Sequence, residues 1–179
     1  MASTSTLSLL LLITLILTDL SRLAVADDTS QAYLDPHNAA RADVGVAPLL
    51  WNTTLENYAL TYSWSQIYQT PLSRITLLLI PGATSWTHSG GPYGENLYDG
   101  YGDGSWTSPE AAVDSWVSEK IYYDEKTNTC SAPEGDTTRR CVWSSTTDLG
   151  CASVPSEDGS TFIMCSYYPP GNWDGERPY

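Results

Sequence analysis

All four cysteines of this chain fall between residues 130 and 165: Cys130, Cys141, Cys151 and Cys165. They follow an apolar leader. Ser8 to Thr18 is a short hydrophobic run, and Ala24-Val25-Ala26 gives the small-x-small pattern of a signal-peptidase site. The run is shorter than the roughly 20 residues needed to span a bilayer. It therefore reads as a signal peptide over 1–26, cut after Ala26, rather than an uncleaved anchor. An even cysteine count behind such a leader points to disulfides in an oxidising compartment. Four cysteines allow three pairings. Cys130–Cys141 and Cys151–Cys165 are favoured because each closes a short loop, for roughly 3 kcal/mol apiece. Zinc is the competing use, but it calls for close pairs such as C-x-x-C, and the sequence has none.

What remains, 27–179, has the length of one domain. The leader carries Asp19 and Arg22, so its removal leaves the net charge at −13. A surface of that sign repels phosphate backbones and anionic headgroups. Nucleic acid and simple electrostatic docking on membranes are excluded as partners. No later stretch is apolar enough to make an integral membrane protein, and a monomer is expected.

The helices come first. Gln31 to Val44 reads as a helix stopped by Gly45. Pro36 inside it would cost about 3 kcal/mol, which predicts either a start with Asp35 as N-cap and Pro36 as first residue, or a kink there. Thr53 to about Gln69 is a second helix, with Leu55, Tyr58, Ala59 and Tyr62 on one stripe. Asn52 can cap it, and Asn52-Thr53-Thr54 is also an N-glycosylation sequon. Ser108-Pro109-Glu110 opens a third helix carrying Ala112, Val113, Trp116 and Val117, with Glu119 beside that stripe. The last third is β-rich: Cys141 to Trp143, Leu149 to Val154 and Thr161 to Tyr167 read as strands. The turn at Ser156 to Gly159 would set Cys151 opposite Cys165. Helices followed by strands indicate an α+β layered domain.

Several stretches carry a specific resemblance. They are His37-Asn38-Ala39-Ala40-Arg41, PLLWN at 48–52, HSGGPYGENL at 88–97, WVSEK at 116–120, Asn128-Thr129-Cys130, Val142-Trp143, Leu149-Gly150-Cys151 and PPGNWDGERPY at 169–179. Together they resemble plant pathogenesis-related proteins of class 1, members of the CAP superfamily, over most of Gln31 to Tyr179. The resemblance implies an α-β-α sandwich with a central antiparallel sheet. It implies secretion to the apoplast, or else the vacuole, and a defence role. The implied mechanism is sterol binding with action against fungi and oomycetes.

The family's cleft holds two histidines and two glutamates. Here His88, Glu95 and Glu119 match three of them. The second histidine lies in a Cys-Gly-His-Tyr-Thr-Gln-Val stretch that is absent, and Thr137 occupies its position. The cluster is thus degraded, and no metal and no cofactor are expected. The family cysteines before HSGG and after Leu-Gly-Cys are both missing, consistent with one bridge lost as a unit. The spacing from Trp51 to His88 is longer than the family's; the excess, near 68–86, includes Ile75 to Ile80. It is either an added strand beside the cleft or an error of the gene model.

Two further sites follow from the resemblance. The loop Lys120 to Cys130 matches the family's proposed sterol loop, where Tyr122 and Tyr123 offer apolar rings with polar tips. The C-terminal segment matches a releasable defence peptide, cut between Tyr168 and Pro169 and read by a receptor. Ser166 replaces an asparagine before that site, and the tail can instead simply pack Trp173 and Tyr179 onto the domain. Binding is favoured over catalysis. The hydrolytic alternative uses Glu95 and Glu119 as an acid/base pair. A glycan-binding alternative rests on 7 Trp and 12 Tyr.

Overall fold

Capping side chains open two of the main helices where the sequence places them. The computed structural model describes residues 29–68, 87–131 and 137–179. The leader and nearly all of the 68–86 excess therefore lie outside the described residues.

The first helix, α1, runs over 29–43. The start predicted at Asp35–Pro36 is corrected: Pro36 lies in the helix interior, and Asp35 accepts a hydrogen bond from Gln31 of the same helix instead of capping. Packing outweighs the proline penalty, because Tyr33, His37 and Arg41, spaced four apart, are all fully buried on one face. The helix stops at Gly45, whose φ of +72° suits glycine, with Val46 N–H bonded back to the Arg41 carbonyl at 2.9 Å.

A short strand β1 (Leu50–Trp51) leads into α2 (Thr53–Ile67). The Asn52 side chain accepts from Thr54 N–H at 2.9 Å and so caps α2. Its amide donates to Asp148 at 3.0 Å, so the sequon nitrogen already has a partner. Strand β2 (Gly94–Tyr101) precedes α3 (Pro109–Ser118). Ser108 caps α3 through Ala111 N–H at 3.2 Å, with Pro109 first in the helix. A 3-10 turn (Glu119–Tyr122) follows, then the ribbon of β3 (Tyr123–Asp124) and β4 (Thr129–Cys130). A one-turn helix α4 (Thr137–Cys141) leads to the hairpin of β5 (Asp148–Pro155) and β6 (Ser160–Tyr168).

The main sheet has the order β1-β5-β6-β2 and is antiparallel except for β1, which pairs parallel with β5. Alternation along β5 and β6 divides the core. Phe162, Met164, Ala152 and Val154 face Ala59 and Ile67 of α2. Cys151, Ile163, Cys165 and Tyr167 face Tyr33 of α1, Val113 and Trp116 of α3 and Cys141 of α4. The sheet is thus flanked by helices on both faces, the α-β-α sandwich.

Two expectations need correction. Cys141 to Trp143 is not a strand: Cys141 ends α4, whose Val142 N–H bonds back to Thr138 at 3.2 Å. The bridges are also only half as expected. Cys151 faces Cys165 across the hairpin and is bonded to it, but Cys130 and Cys141 are not joined. Cys141 is fully buried beneath Tyr167, while Cys130 lies on the outer ribbon.

Candidate functional site

Successive residues of a strand point to opposite faces, and β2 separates Glu95 from Asn96 this way. Glu95 is on the α2 side. Its carboxylate accepts from His88 Nδ1 at 3.2 Å, from Ser89 N–H at 2.9 Å and from the Ser89 hydroxyl. Ser89 is itself bonded to the Tyr58 hydroxyl of α2 at 2.5 Å. Burial alone would push the Glu95 carboxyl up. The bonds from His88 and Ser89, with the imidazole charge, outweigh it and hold the group below the ordinary carboxylate value.

Asn96 is on the other face. Its Nδ2 donates to the Thr137 carbonyl at 3.0 Å and to the Tyr167 hydroxyl at 3.2 Å. The Thr137 N–H donates to Glu119 at 3.0 Å. Glu119 therefore caps α4. Of the three residues matched to the cleft, the structure pairs His88 with Glu95 and leaves Glu119 apart. Among the described residues no three of His, Cys, Asp or Glu group closely enough to hold a metal ion. The residues do not fit the metal site that the superfamily's fuller cluster implies, because the position of its second histidine is a threonine whose backbone is fully used.

Behind Asn96 lies a buried polar chain that the sequence did not reveal. His37 Nδ1–H donates to the Tyr33 carbonyl at 2.8 Å, so Nε2 accepts from the Tyr167 hydroxyl at 2.8 Å. Burial pushes the His37 pKa down to about 4, and nearby Arg41 adds to this, so the ring is neutral. Arg41 ties four carbonyls together: Ala47, Cys141, Trp143 and Thr146, at 2.6 to 3.2 Å. Burial also pushes the Cys141 thiol up to about 12, which keeps it protonated and non-nucleophilic. The only sequence signal for this chain was the Tyr33, His37, Arg41 spacing, which places a histidine and an arginine on the apolar stripe of α1.

The loop Lys120 to Cys130 carries two large hydrophobic side chains in water. Ile121 is 76% exposed and Tyr122 40% exposed. Tyr123 behaves differently: its hydroxyl donates to Asn128 at 3.0 Å and its ring meets that of Tyr179 edge-on. The tail beyond Tyr168 docks on this loop and on α4. Tyr179 meets Tyr123 while staying 39% exposed, and Trp173 is 53% exposed. At the candidate cut, Tyr168 is exposed, but its carbonyl accepts from Thr147 N–H at 3.0 Å. No helix among the described residues is long and apolar enough to cross a membrane.

A sheet sandwiched by helices, with GEN on an edge strand and a docked Pro-Gly tail, defines a CAP-type domain. The model of the CAP family (Cysteine-rich secretory protein family) matches residues 34–168, and the chain belongs to that family. It is 41% identical over 156 residues to "Pathogenesis-related protein 1A" of Nicotiana tabacum, covering 86% of this chain and 83% of that one. It is 44% identical over 150 residues to "Pathogenesis-related protein PR-1" of Medicago truncatula, covering 82% and 77%. Among solved structures, the Hookworm Platelet Inhibitor shares the fold at a TM-score of 0.60 and 23% identity, covering 86% of this chain and 75% of that one.

Proposed function

We propose that this chain is a secreted plant defence protein that binds a sterol or another apolar molecule through the loop Lys120 to Cys130, with antifungal and anti-oomycete action. One observation carries the reading: Ile121 and Tyr122 stand exposed side by side on an ordered 3-10 turn. Contiguous apolar groups held out in water mark contact surfaces, and these two are adjacent on one turn. Tyr122 also offers a hydroxyl to the polar end of a sterol. Similarity to the pathogenesis-related relatives supports the defence role, and the leader supports an extracellular site, the apoplast before the vacuole.

The reading is of a binder, without a metal and without a reaction. Glycoside hydrolysis by Glu95 and Glu119 asks for one carboxyl held protonated. Glu95 is shifted the other way, and Glu119 is committed to Thr137. A glycan-binding role has only the exposed aromatics to favour it. The test is titration of the secreted, disulfide-intact protein with radiolabelled sterol. Saturable binding is expected; a folded protein that binds none sinks the proposal.

A second reading treats the chain as the precursor of a signalling peptide, recognised by a receptor after a cut at Tyr168–Pro169. The exposure of Tyr168 and of residues 173–177 favours it. Mass spectrometry of apoplastic fluid after elicitation should find Pro169–Tyr179; its absence counts against this reading.

A further inference from the structure

The last eleven residues sit on the domain as a bound peptide sits on a receptor. Their contacts run mainly through main-chain carbonyls, each met by a donor on the body. Thr146 Oγ1 donates to the Pro169 carbonyl at 2.9 Å. Arg139 donates to Trp173 at 3.3 Å and to Glu176, and Asn128 Nδ2 to Gly175 at 3.1 Å and Glu176 at 3.3 Å. The Ser144 N–H donates to Pro178 at 2.6 Å. Two contacts are apolar: Gly171 lies so close on the Trp143 ring that a Cβ has no room, and Tyr179 meets Tyr123.

The donors are held by the body. Tyr123 fixes Asn128 Oδ1, which turns Nδ2 toward the tail. Arg139 lies between the rings of Tyr123 and Trp143, at 5.8 and 5.3 Å from their centroids. A site preorganised in this way keeps affinity for a ligand that is no longer tethered.

We propose that the surface formed by Tyr123, Asn128, Arg139, Trp143, Ser144 and Thr146 is a peptide-binding site. Its ligand is an extended Pro- and Gly-rich segment ending in an aromatic residue, supplied in cis by Pro169–Tyr179. It goes on holding that segment after the backbone is cut. The proposal rests on the peptide-precursor reading only for the position of the cut. There an endopeptidase hydrolyses the Tyr168–Pro169 amide: water gives its hydroxyl to the Tyr168 carbonyl and a proton to the Pro169 nitrogen. Cleavage and release are then separate steps, and the second depends on the loop Lys120 to Cys130, which supplies Tyr123 and Asn128.

The experiment inserts a site-specific protease sequence between Tyr168 and Pro169 of the full chain. The protein is cut after folding and passed through gel filtration, and each fraction is analysed by mass spectrometry. The peptide should co-elute with the body and come free only on denaturation. The double variant Asn128→Ala, Arg139→Ala should lose it on the order of tenfold faster or more. An intact Cys151–Cys165 link and native circular dichroism are required of both proteins. Immediate separation of the peptide from the unsubstituted body overturns the proposal, and so does equal retention by the double variant. Because the cut is engineered, failure of natural processing leaves this result standing and sinks only the precursor reading.

Discussion

The Thr137 backbone N–H donates to the Glu119 carboxylate at 3.0 Å, at the position where the family resemblance places a histidine. A residue that would face a shared cleft instead closes the first turn of α4, a helix of 5 residues with little stability of its own. Glu119→Ala should therefore destabilise the protein by about 1 kcal/mol, with Glu119→Gln retaining part of the cap. Urea unfolding midpoints measure both. Thr137→His should not create a saturable zinc site by calorimetry, because Glu95 is already bonded to His88 and Ser89 while Glu119 caps α4.

His37 sets an acid limit on stability. Its pKa falls from 6.5 to about 4 on folding, because burial disfavours the imidazolium. Between those values the unfolded chain binds more protons, so stability rises with pH. This contribution is complete above pH 6.5 and is lost as pH falls toward 4, for about 3 kcal/mol in all. His37→Gln should flatten the unfolding free energy across that window. An unchanged slope would place the acid sensitivity elsewhere.

Arg41 holds α1 to the segment 141–146 through the Cys141, Trp143 and Thr146 carbonyls. Arg41→Met should cost about 3 kcal/mol or more, since the carbonyls stay buried without donors. Thermal unfolding with matched disulfide content measures it. A loss below about 1 kcal/mol would mean that water replaces the guanidinium.

Gly150 lies under α2. A Cβ there would strike the backbone of Leu55 and Glu56, whereas one at Gly104 meets nothing within 4 Å. Gly150→Ala should destabilise by about 2 kcal/mol or more, and Gly104→Ala by no more than about 0.5 kcal/mol. Equal effects would contradict the packing of α2 on β5.

What the sequence made legible was local. Asn52 and Ser108 announce their helices because a cap is a contact within a few residues. The Cys151–Cys165 pairing follows from alternation on either side of one turn. Pro36 misled because the burial of Tyr33, His37 and Arg41 is tertiary. Cys141 to Trp143 looked like a strand because a short apolar run has no period. Strand β2, GENLYDGY, went unread as a strand because its glycines and acids hide the alternation. The candidate cleft was legible as residue types but not as geometry. Nothing near Glu119 in sequence shows that Thr137 claims it, and the hydrogen bonds of Asn96 with Thr137 and Tyr167, of Tyr167 with His37 and of Arg139 with Trp173 span 34 residues or more.

The most direct measurement is sterol titration of three proteins: the unsubstituted chain, Tyr122→Ala and His88→Ala. Tyr122 is exposed and makes no contact that holds the tail, so its loss tests the loop alone. Saturable binding that Tyr122→Ala weakens at least tenfold, about 1.4 kcal/mol, and His88→Ala leaves unchanged places function in the loop. Binding that fails with His88→Ala and survives Tyr122→Ala would contradict the account and return function to the Glu95 side of the sheet.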